Sequence, residues 1–278
     1  MKIVCVCFSL VCFFSELYGS ELTEGVKGYK KAVEDAGKSE KKFATFRQDH
    51  AIKIVYEHVD LILGEKYVNK IYHSFPILMQ NISKLIKNDK FGKPKLDYYE
   101  HIGMVAGTTL RYIFILGEMM DLFDLKENSK IVEIGCGYGG QCSVLSQMID
   151  FSSYKLIDLD FVLPLIDRYL TAMGVQNFQT LNPSQCSEYE EYDLFISNYG
   201  ISECYRHEQD DYIENVIKHA KRGYIIYNNI AKDLVNNYSA HEFFQKLKEV
   251  GIKPEIKLEA IQTYPSNPNY LIYWGAEE

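Results

Sequence analysis

The chain has 278 residues, a formal net charge of -8 and 47% hydrophobic residues. This length and composition predict a folded globular protein, built either as one sizeable domain with an appended region or as two small domains. Because lysine and arginine form no cluster along the sequence, the charge pattern argues against a nucleic-acid partner.

The first twenty residues, "MKIVCVCFSLVCFFSELYGS", differ from the rest of the chain. One lysine precedes an apolar run that is shorter than the roughly twenty residues of a membrane span. We therefore predict a signal-peptide-like segment over residues 1–20, which suggests export to the periplasm or the medium. A cytoplasmic location follows if the segment is not functional, and membrane contact is expected only if it is an uncleaved anchor.

Residues 21–126 are predicted to form a helical N-terminal cap region. A polar stretch up to Lys42 is interpreted as a mobile leader or a short helix. Apolar residues then recur at helical spacing in the stretches 43–63, 67–86 and 107–123. Gly64 is a plausible end for the first helix, and Thr108 or Thr109 a plausible N-cap for the third.

From residue 127 onward, short apolar strands alternate with helices. The five alternating strands are predicted in "KIVEIG", "YKLIDLD", "FQTLN", "YDLFISN" and "GYIIYNN". Two more, "PEIKLEA" and "NYLIYWG", follow without an intervening helix. This order predicts a Rossmann-like, doubly wound α/β domain over residues 127–278, with a mostly parallel seven-stranded sheet and an antiparallel strand at its C-terminal edge.

The stretch "KIVEIGCGYGGQC" places three glycines between a strand and a helix: Gly135, Gly137 and Gly139. Glycine there lets the backbone turn tightly and approach a ligand closely. Gly135, Gly137 and Gly140 also match the GxGxxG fingerprint of dinucleotide-binding proteins. An oxidoreductase or epimerase that uses a nicotinamide dinucleotide is therefore one alternative.

Three features favour a nucleoside with a cationic group over a dinucleotide. Glu133 lies two residues before the first glycine, where a carboxylate would repel a pyrophosphate and suit a cation. The strand unit begins after a helical region, and a hairpin follows its five alternating strands. An acid at the end of the second strand, Asp158 or as a fallback Asp160, would hydrogen-bond a ribose in either case. Asp160 is equally interpretable as a helix N-cap.

At these residues the chain resembles the class I S-adenosylmethionine-dependent methyltransferases. The shared features are "EIGCGYG" after the first strand, "LIDLD" in the second and the reversed last strand "NYLIYWG". The resemblance implies S-adenosylmethionine as the cofactor, with the three glycines beneath it. Glu133 would then contact its amino-acid end or brace the loop, and Asp158 would bind its ribose hydroxyls.

A narrower resemblance concerns the acceptor. The segments "YKLIDLDFVLPLIDRYL", "YDLFISNYGISE" and "TTLRY" are similar to the sugar O-methyltransferases of bacterial surface-polysaccharide clusters. This chain departs from their pattern at Asp160, which stands where proline is usual. The resemblance implies a glycan or other small-molecule substrate that is methylated on a sugar hydroxyl.

The segment "SNYGISECYRH" leaves the carboxyl end of the fourth strand, where open α/β sheets place reacting groups. Asn198 and Tyr199 are expected to line the cofactor sulfonium. Because a sugar hydroxyl has a high pKa, a general base helps to remove its proton, and Glu203 and His207 are the candidates. Arg111 is a candidate for shaping the acceptor site.

Three further expectations are less specific. Tyr112 is a second candidate for the acceptor site, and residues 182–185 would flank the adenine. No metal is predicted, because Asp210 and Asp211 are typical of the start of a helix. The four cysteines after residue 20 show no zinc-site or disulfide spacing.

Two other functions remain open at this point. The acceptor could be a small molecule of another class. The chain could also be a non-catalytic exported protein that retains the fold, because exported compartments are not expected to supply S-adenosylmethionine. The oligomeric state is left unknown.

Overall fold

The computed structural model describes residues 22–186, 190–232, 236–263 and 267–276. The predicted signal-peptide-like segment, residues 1–20, lies outside the described residues. Within the described ranges, no helix combines the length and the apolar character that crossing a membrane requires.

Helices surround a central sheet and form most of the chain before it. They are α1 Leu22–Lys38, α2 Glu40–Phe43, α3 His50–Tyr56, α4 Leu61–Ser74, α5 Pro76–Gln80, α6 Ile82–Leu85, α7 Gly107–Leu122, α8 Gly140–Leu145, α9 Leu163–Met173, α10 Arg206–Asn215 and α11 Ala240–Glu249.

The strands form a small hairpin and one large mixed sheet. They are β1 Asp97–Tyr99, β2 Gly103–Val105, β3 Lys130–Ile134, β4 Ser153–Ile157, β5 Phe178–Leu181, β6 Tyr192–Asn198, β7 Ala220–Tyr227, β8 Glu255–Leu258 and β9 Tyr270–Trp274. The large sheet has the order β5-β4-β3-β6-β7-β9-β8. Pairing is parallel from β5 to β7, and β9 is antiparallel to both of its neighbours.

This sheet confirms the predicted fold, with one difference at its edge. The reversed strand β9 is buried between β7 and β8, so the solvent-facing edge is β8. The apolar "YLIYW" of β9 needs cover on both sides, whereas "EIKL" of β8 carries charges that an edge strand tolerates.

The N-terminal region is helical as predicted, but its details differ. Of the two alternatives for the stretch before Lys42, the mobile leader is wrong and the helix is confirmed: residues 22–38 form α1, whose Val33 is fully buried against the core. The stretch 43–63 is broken into separate helices because two aspartates start new ones. Asp49 accepts a hydrogen bond from the Ala51 amide at 3.1 Å, and Asp60 accepts one from the Leu63 amide at 2.8 Å.

Two predicted helix ends are also wrong. Gly64 lies inside α4, where it leaves room for the Tyr99 ring, so it ends no helix. Helix α7 begins at Gly107, and both threonines lie in its first turn. Their hydroxyls bind other segments instead: Thr108 donates to the Tyr56 carbonyl at 2.9 Å, and Thr109 donates to Asp89 at 2.7 Å.

A buried ion pair fixes the N-terminal helices to the sheet. The fully buried Arg47 side chain donates from Nε to Glu57 and from Nη1 to Asp89 at 2.8 Å. Its guanidinium lies 5.1 Å from the ring centroid of Tyr138, in the glycine-rich turn after β3. The N-terminal region is thereby held directly against that turn.

Ser239 starts α11 with a capping box. Its hydroxyl accepts from the Glu242 amide at 3.3 Å, and the Glu242 carboxylate accepts from the Ser239 amide at 2.8 Å. We expect Ser239→Ala to lower the free energy of unfolding by about 1 kcal/mol, because one helix amide loses its acceptor. Urea denaturation measures this loss. Ser239→Thr keeps the hydroxyl and should lose much less; equal losses in both variants would contradict the cap.

Candidate active site

A cleft opens where the central strands end at their carboxyl termini. It lies beside β3, the strand at which the chain connections change direction across the sheet, and this is where α/β folds bind ligands. It encloses about 900 Å³, including the part open to solvent. The predicted site residues in its lining are Glu133, Gly135, Gly137, Asp158, Asn198, Tyr199 and Glu203, together with Arg111 and Tyr112.

The glycine-rich turn forms the floor of the cleft. Gly135, Gly137 and Gly139 have φ values of 73°, 58° and 88°, in the left-handed region that favours glycine. A Cβ on Gly135 would come within 2.5 Å of the Gly200 Cα, so the turns after β3 and β6 touch. Gly139 packs against Leu170 outside the lining, and its role is to turn the chain into α8.

The acid after β4 has a fixed orientation. One Asp158 oxygen accepts from the Gly137 amide at 3.1 Å, and the other accepts from the Leu159 amide at 2.8 Å. Asp160 instead is exposed and accepts from Asn182 at 2.8 Å. The N-cap of α9 is Val162, so the interpretation of Asp160 as that cap is wrong. Of the two aspartates, Asp158 lines the cleft and Asp160 does not.

Glu133 lies at the end of β3 and is almost fully buried, with 1% of its surface exposed. The Tyr154 hydroxyl donates to its carboxylate at 2.7 Å. Burial raises the pKa of Glu133 to about 8; the Tyr154 hydrogen bond opposes this rise and the nearby charge of Asp158 adds to it. The carboxyl is therefore largely protonated at neutral pH, and a cation beside it would favour the ionised form.

Asn198 and Tyr199 leave the end of β6 in an unusual conformation. Tyr199 has a φ of 72°, which is strained for a bulky side chain. The side-chain nitrogen of Asn198 donates to Gln141 at 3.4 Å, whereas its Oδ1 is buried and has no hydrogen-bond partner among the described residues. A buried acceptor without a donor is costly, so this oxygen is suited to a ligand.

The two candidate bases lie in different places. Glu203 is the last residue of the short 3-10 turn after β6 and lines the cleft. Burial, with a contribution from Asp158, raises its pKa well above the usual carboxyl value. His207 is exposed on α10 and stacks on the Tyr205 ring. It lines a separate surface depression, together with Asp210. The structure thus brings Glu203 to the cleft but not His207.

The other residues for which the sequence predicted a role, apart from those above, lie outside the cleft lining. Residues 183–185 form a 3-10 turn beyond β5. Asp210 accepts a hydrogen bond from the Tyr238 hydroxyl at 2.9 Å. Within the described part of the chain, no group of three or more histidine, cysteine or acidic side chains could hold a metal ion.

Sequence reasoning missed the residues that cover the cleft from the N-terminal helices. The Tyr56 ring lies so close over Gly137 that a Cβ there would meet it at 2.9 Å. Its hydroxyl is hydrogen-bonded to that of Tyr29, and His58 completes this side of the lining. Tyr29 comes from α1, for which the sequence predicts either a mobile leader or a short helix and no part in the site.

Comparison with known proteins agrees with this architecture. Residues 65–177 match the family model of protein-L-isoaspartate(D-aspartate) O-methyltransferase, which is less than half of the chain. A protein-L-isoaspartate O-methyltransferase from Vibrio campbellii is 43% identical over 44 residues, which are 16% of this chain and 21% of that protein. The match thus spans about a fifth of the length of that curated relative.

Among solved structures, a protein from Galdieria sulphuraria described as a "putative sarcosine dimethylglycine methyltransferase" superimposes with a TM-score of 0.51 at 11% identity. The superposition covers 62% of this chain and 86% of that one. The fold is the class I S-adenosylmethionine-dependent methyltransferase fold, and the cofactor that this fold implies is S-adenosylmethionine.

The residues of the cleft fit that cofactor. The turn after β3 lines the cleft with Gly135 and Gly137, and Asp158 stands after β4, where an acid suits ribose hydroxyls. Glu133 is a buried carboxyl suited to a cation. The unpartnered Oδ1 of Asn198 is an acceptor that favours a positively charged neighbour.

Asn198 provides a direct test of this fit. We expect Asn198→Ala to weaken binding of the positively charged S-adenosylmethionine about tenfold, because a buried acceptor next to the charge is lost. Neutral S-adenosylhomocysteine should be affected less. Calorimetric titration of both ligands measures the difference. Asn198→Asp keeps an acceptor and is the control; equal losses for both ligands would place Asn198 away from the sulfonium.

Proposed function

We propose that the protein is an S-adenosylmethionine-dependent O-methyltransferase whose acceptor is a sugar hydroxyl. The observation that carries this proposal is the position of Glu203, a carboxyl in the same cleft as Asp158 and Asn198. A hydroxyl acceptor must lose a proton as it is methylated, and a positioned carboxylate can take it. The resemblance of the segment "YDLFISNYGISE" to sugar O-methyltransferases supports the same acceptor.

Each residue then has a defined task. When bound, the cofactor supplies an electrophilic methyl group on a positively charged sulfur. Asp158 binds the ribose hydroxyls, and Glu133 accepts hydrogen bonds from the ammonium group at the amino-acid end. Asn198 would offer its unpartnered Oδ1 to the positive charge. Glu203 accepts the proton of the acceptor hydroxyl, whose oxygen must lie about 3 Å from the methyl group for the displacement to proceed.

A second candidate is methylation of a carboxyl group in an isoaspartyl peptide. The family-model match favours it, because that family methylates such residues. The matched stretch, however, ends at residue 177, before β6 and the residues that follow it. It therefore says nothing about Asn198, Tyr199 or Glu203. A carboxylate acceptor is already ionised and gives Glu203 no proton to accept.

A transfer assay separates the two acceptors. Radiolabelled S-adenosylmethionine is incubated with the protein and, in parallel, with monosaccharides, uronic acids, sugar phosphates and an isoaspartyl peptide. Base-stable label in a sugar is expected, since a methyl ether survives alkali. Label in the peptide that alkali releases as methanol would instead identify a carboxyl methyl ester. S-adenosylmethionine binding without transfer to any acceptor would favour a non-catalytic protein that retains the fold.

A further inference from the structure

Arg111 is a buried cation in the cleft with an incomplete set of partners. It lies on α7, is 4% exposed and lines the cleft. Its Nη1 donates to His58 Nε2 at 3.1 Å, and its guanidinium lies 4.4 Å from the ring centroid of Tyr199. Its Nε is buried and has no hydrogen-bond partner within the described part of the chain. Among the described residues, no carboxylate forms an ion pair with it.

Arg47, the other buried arginine, has the carboxylate partners that a buried guanidinium needs. Arg47 directs Nε at Glu57 and Nη1 at Asp89, so two carboxylates balance its charge. Burying a charge without such a partner is expensive. The difference between the two arginines therefore indicates that a ligand supplies the missing anion at Arg111.

The neighbours of Arg111 supply only part of that negative charge. Burial, reinforced by the adjacent Arg111, lowers the pKa of His58 to about 3, so His58 is a neutral acceptor. The carboxyl of Glu259 lies nearby but is held by Asn269, which donates to it at 2.7 Å. The Tyr199 hydroxyl also donates to the same oxygen at 3.5 Å. Burial raises the pKa of Glu259 to about 7, although the charge of Arg111 opposes this rise, so the carboxyl is only partly ionised at neutral pH.

The position of Arg111 indicates which ligand it faces. Gly135 and Asp158, which fit the cofactor, follow β3 and β4. Arg111 stacks on Tyr199 after β6, and the Tyr199 hydroxyl accepts from Asn269 just before β9 at 3.0 Å. The guanidinium thus packs on the segment after β6, which is bonded to the residue before β9, whereas the residues assigned to the nucleoside follow β3 and β4.

We infer that Arg111 binds an anionic group of the methyl acceptor, a carboxylate or a phosphate, through its free Nε–H and the fork of its guanidinium. This inference rests on the proposed function and narrows it: the acceptor is an acidic sugar, such as a uronic acid or a sugar phosphate. The carboxylate of the cofactor itself is the other source of the same chemistry, and the experiment distinguishes the two.

The test follows the Arg111 Nε–H signal in nitrogen-15 NMR spectra of the full chain, assigned by its loss in Arg111→Lys. The Nε–H of Arg47, already bonded to Glu57, is the internal control. The protein is first saturated with S-adenosylhomocysteine or with methylthioadenosine, which lacks the amino-acid end. D-glucuronate, D-glucose 6-phosphate and neutral D-glucose are then titrated at constant ionic strength.

The expected result is a saturable shift of the Arg111 signal with glucuronate or glucose 6-phosphate, no shift with glucose, and a stationary Arg47 signal. Arg111→Gln should weaken binding of the acidic sugar at least about tenfold. A shift caused by S-adenosylhomocysteine but not by methylthioadenosine would assign Arg111 to the cofactor and overturn the inference. So would the absence of a saturable shift with both acidic sugars. If neither nucleoside binds, the proposed function itself fails.

Discussion

Glu203→Gln is expected to lower the rate of methyl transfer roughly 10²- to 10⁴-fold, the usual contribution of a general base. The substitution keeps the shape of the side chain but removes the proton acceptor from the cleft. Binding of S-adenosylhomocysteine should change little, because Glu203 acts on the acceptor. The measurement is kcat for the sugar acceptor beside the dissociation constant of S-adenosylhomocysteine.

The pH dependence gives the same prediction a second readout. The base works only when deprotonated, and burial raises the pKa of Glu203 well above the usual carboxyl value. The wild-type rate should therefore rise with pH through that raised pKa, and this rise should disappear in Glu203→Gln. Glu203→Asp should retain the rise with pH, although its rate of methyl transfer should be lower than that of the wild type. His207→Ala, outside the cleft, is the matched control and should behave as the wild type; a His207→Ala loss as large as that of Glu203→Gln would contradict the assignment.

Glu133→Gln is expected to stabilise the ligand-free protein at alkaline pH. The folded-state pKa of about 8 exceeds the ordinary value of 4.5, so the folded protein holds the proton more tightly than the unfolded chain. The stability that this proton provides is complete below pH 4.5 and is lost as pH rises through 8. At pH 9 the free energy of unfolding of the variant should therefore exceed that of the wild type by a few kcal/mol, on the order of the pKa difference converted to free energy.

Urea denaturation at pH 5 and pH 9 gives the difference in free energy of unfolding between the variant and the wild type at each pH, and the change in that difference is the effect. The contributions of the other titrating groups cancel because both proteins contain them. Glu127→Gln, at an exposed position, is the matched control and should show no such change with pH. The same Glu133→Gln variant should bind S-adenosylmethionine more weakly, so stability and cofactor affinity would move in opposite directions. A variant less stable than the wild type at pH 9 would contradict the buried-acid assignment.

The sheet was predictable because parallel strands buried on both faces appear as short apolar runs. "YDLFISN" coincides with β6, and the glycines after "KIVEI" fixed the place of the turn. The bounds of the N-terminal helices were harder to predict. Their boundaries depend on the caps Asp49 and Asp60, which periodicity alone does not reveal.

The two candidate bases show where sequence reasoning stops. Glu203 and His207 lie four residues apart and have similar chemistry in sequence. Between them, Tyr205 is the N-cap of α10, and its amide donates to the Glu208 carboxylate at 2.8 Å. The helix that begins there carries His207 to the surface. Contacts such as that between Arg111 and His58 join residues that are 53 positions apart, so no local pattern predicts them.

The central claim is that the cleft after β3 binds S-adenosylmethionine, and ligand titration of the full chain tests it most directly. S-adenosylmethionine, S-adenosylhomocysteine and NAD are titrated calorimetrically into the wild type and into Asp158→Ala. The account predicts micromolar binding of the first two, no binding of NAD, and at least about tenfold weaker binding in the variant. Binding of NAD alone, or of none of the three, would contradict it.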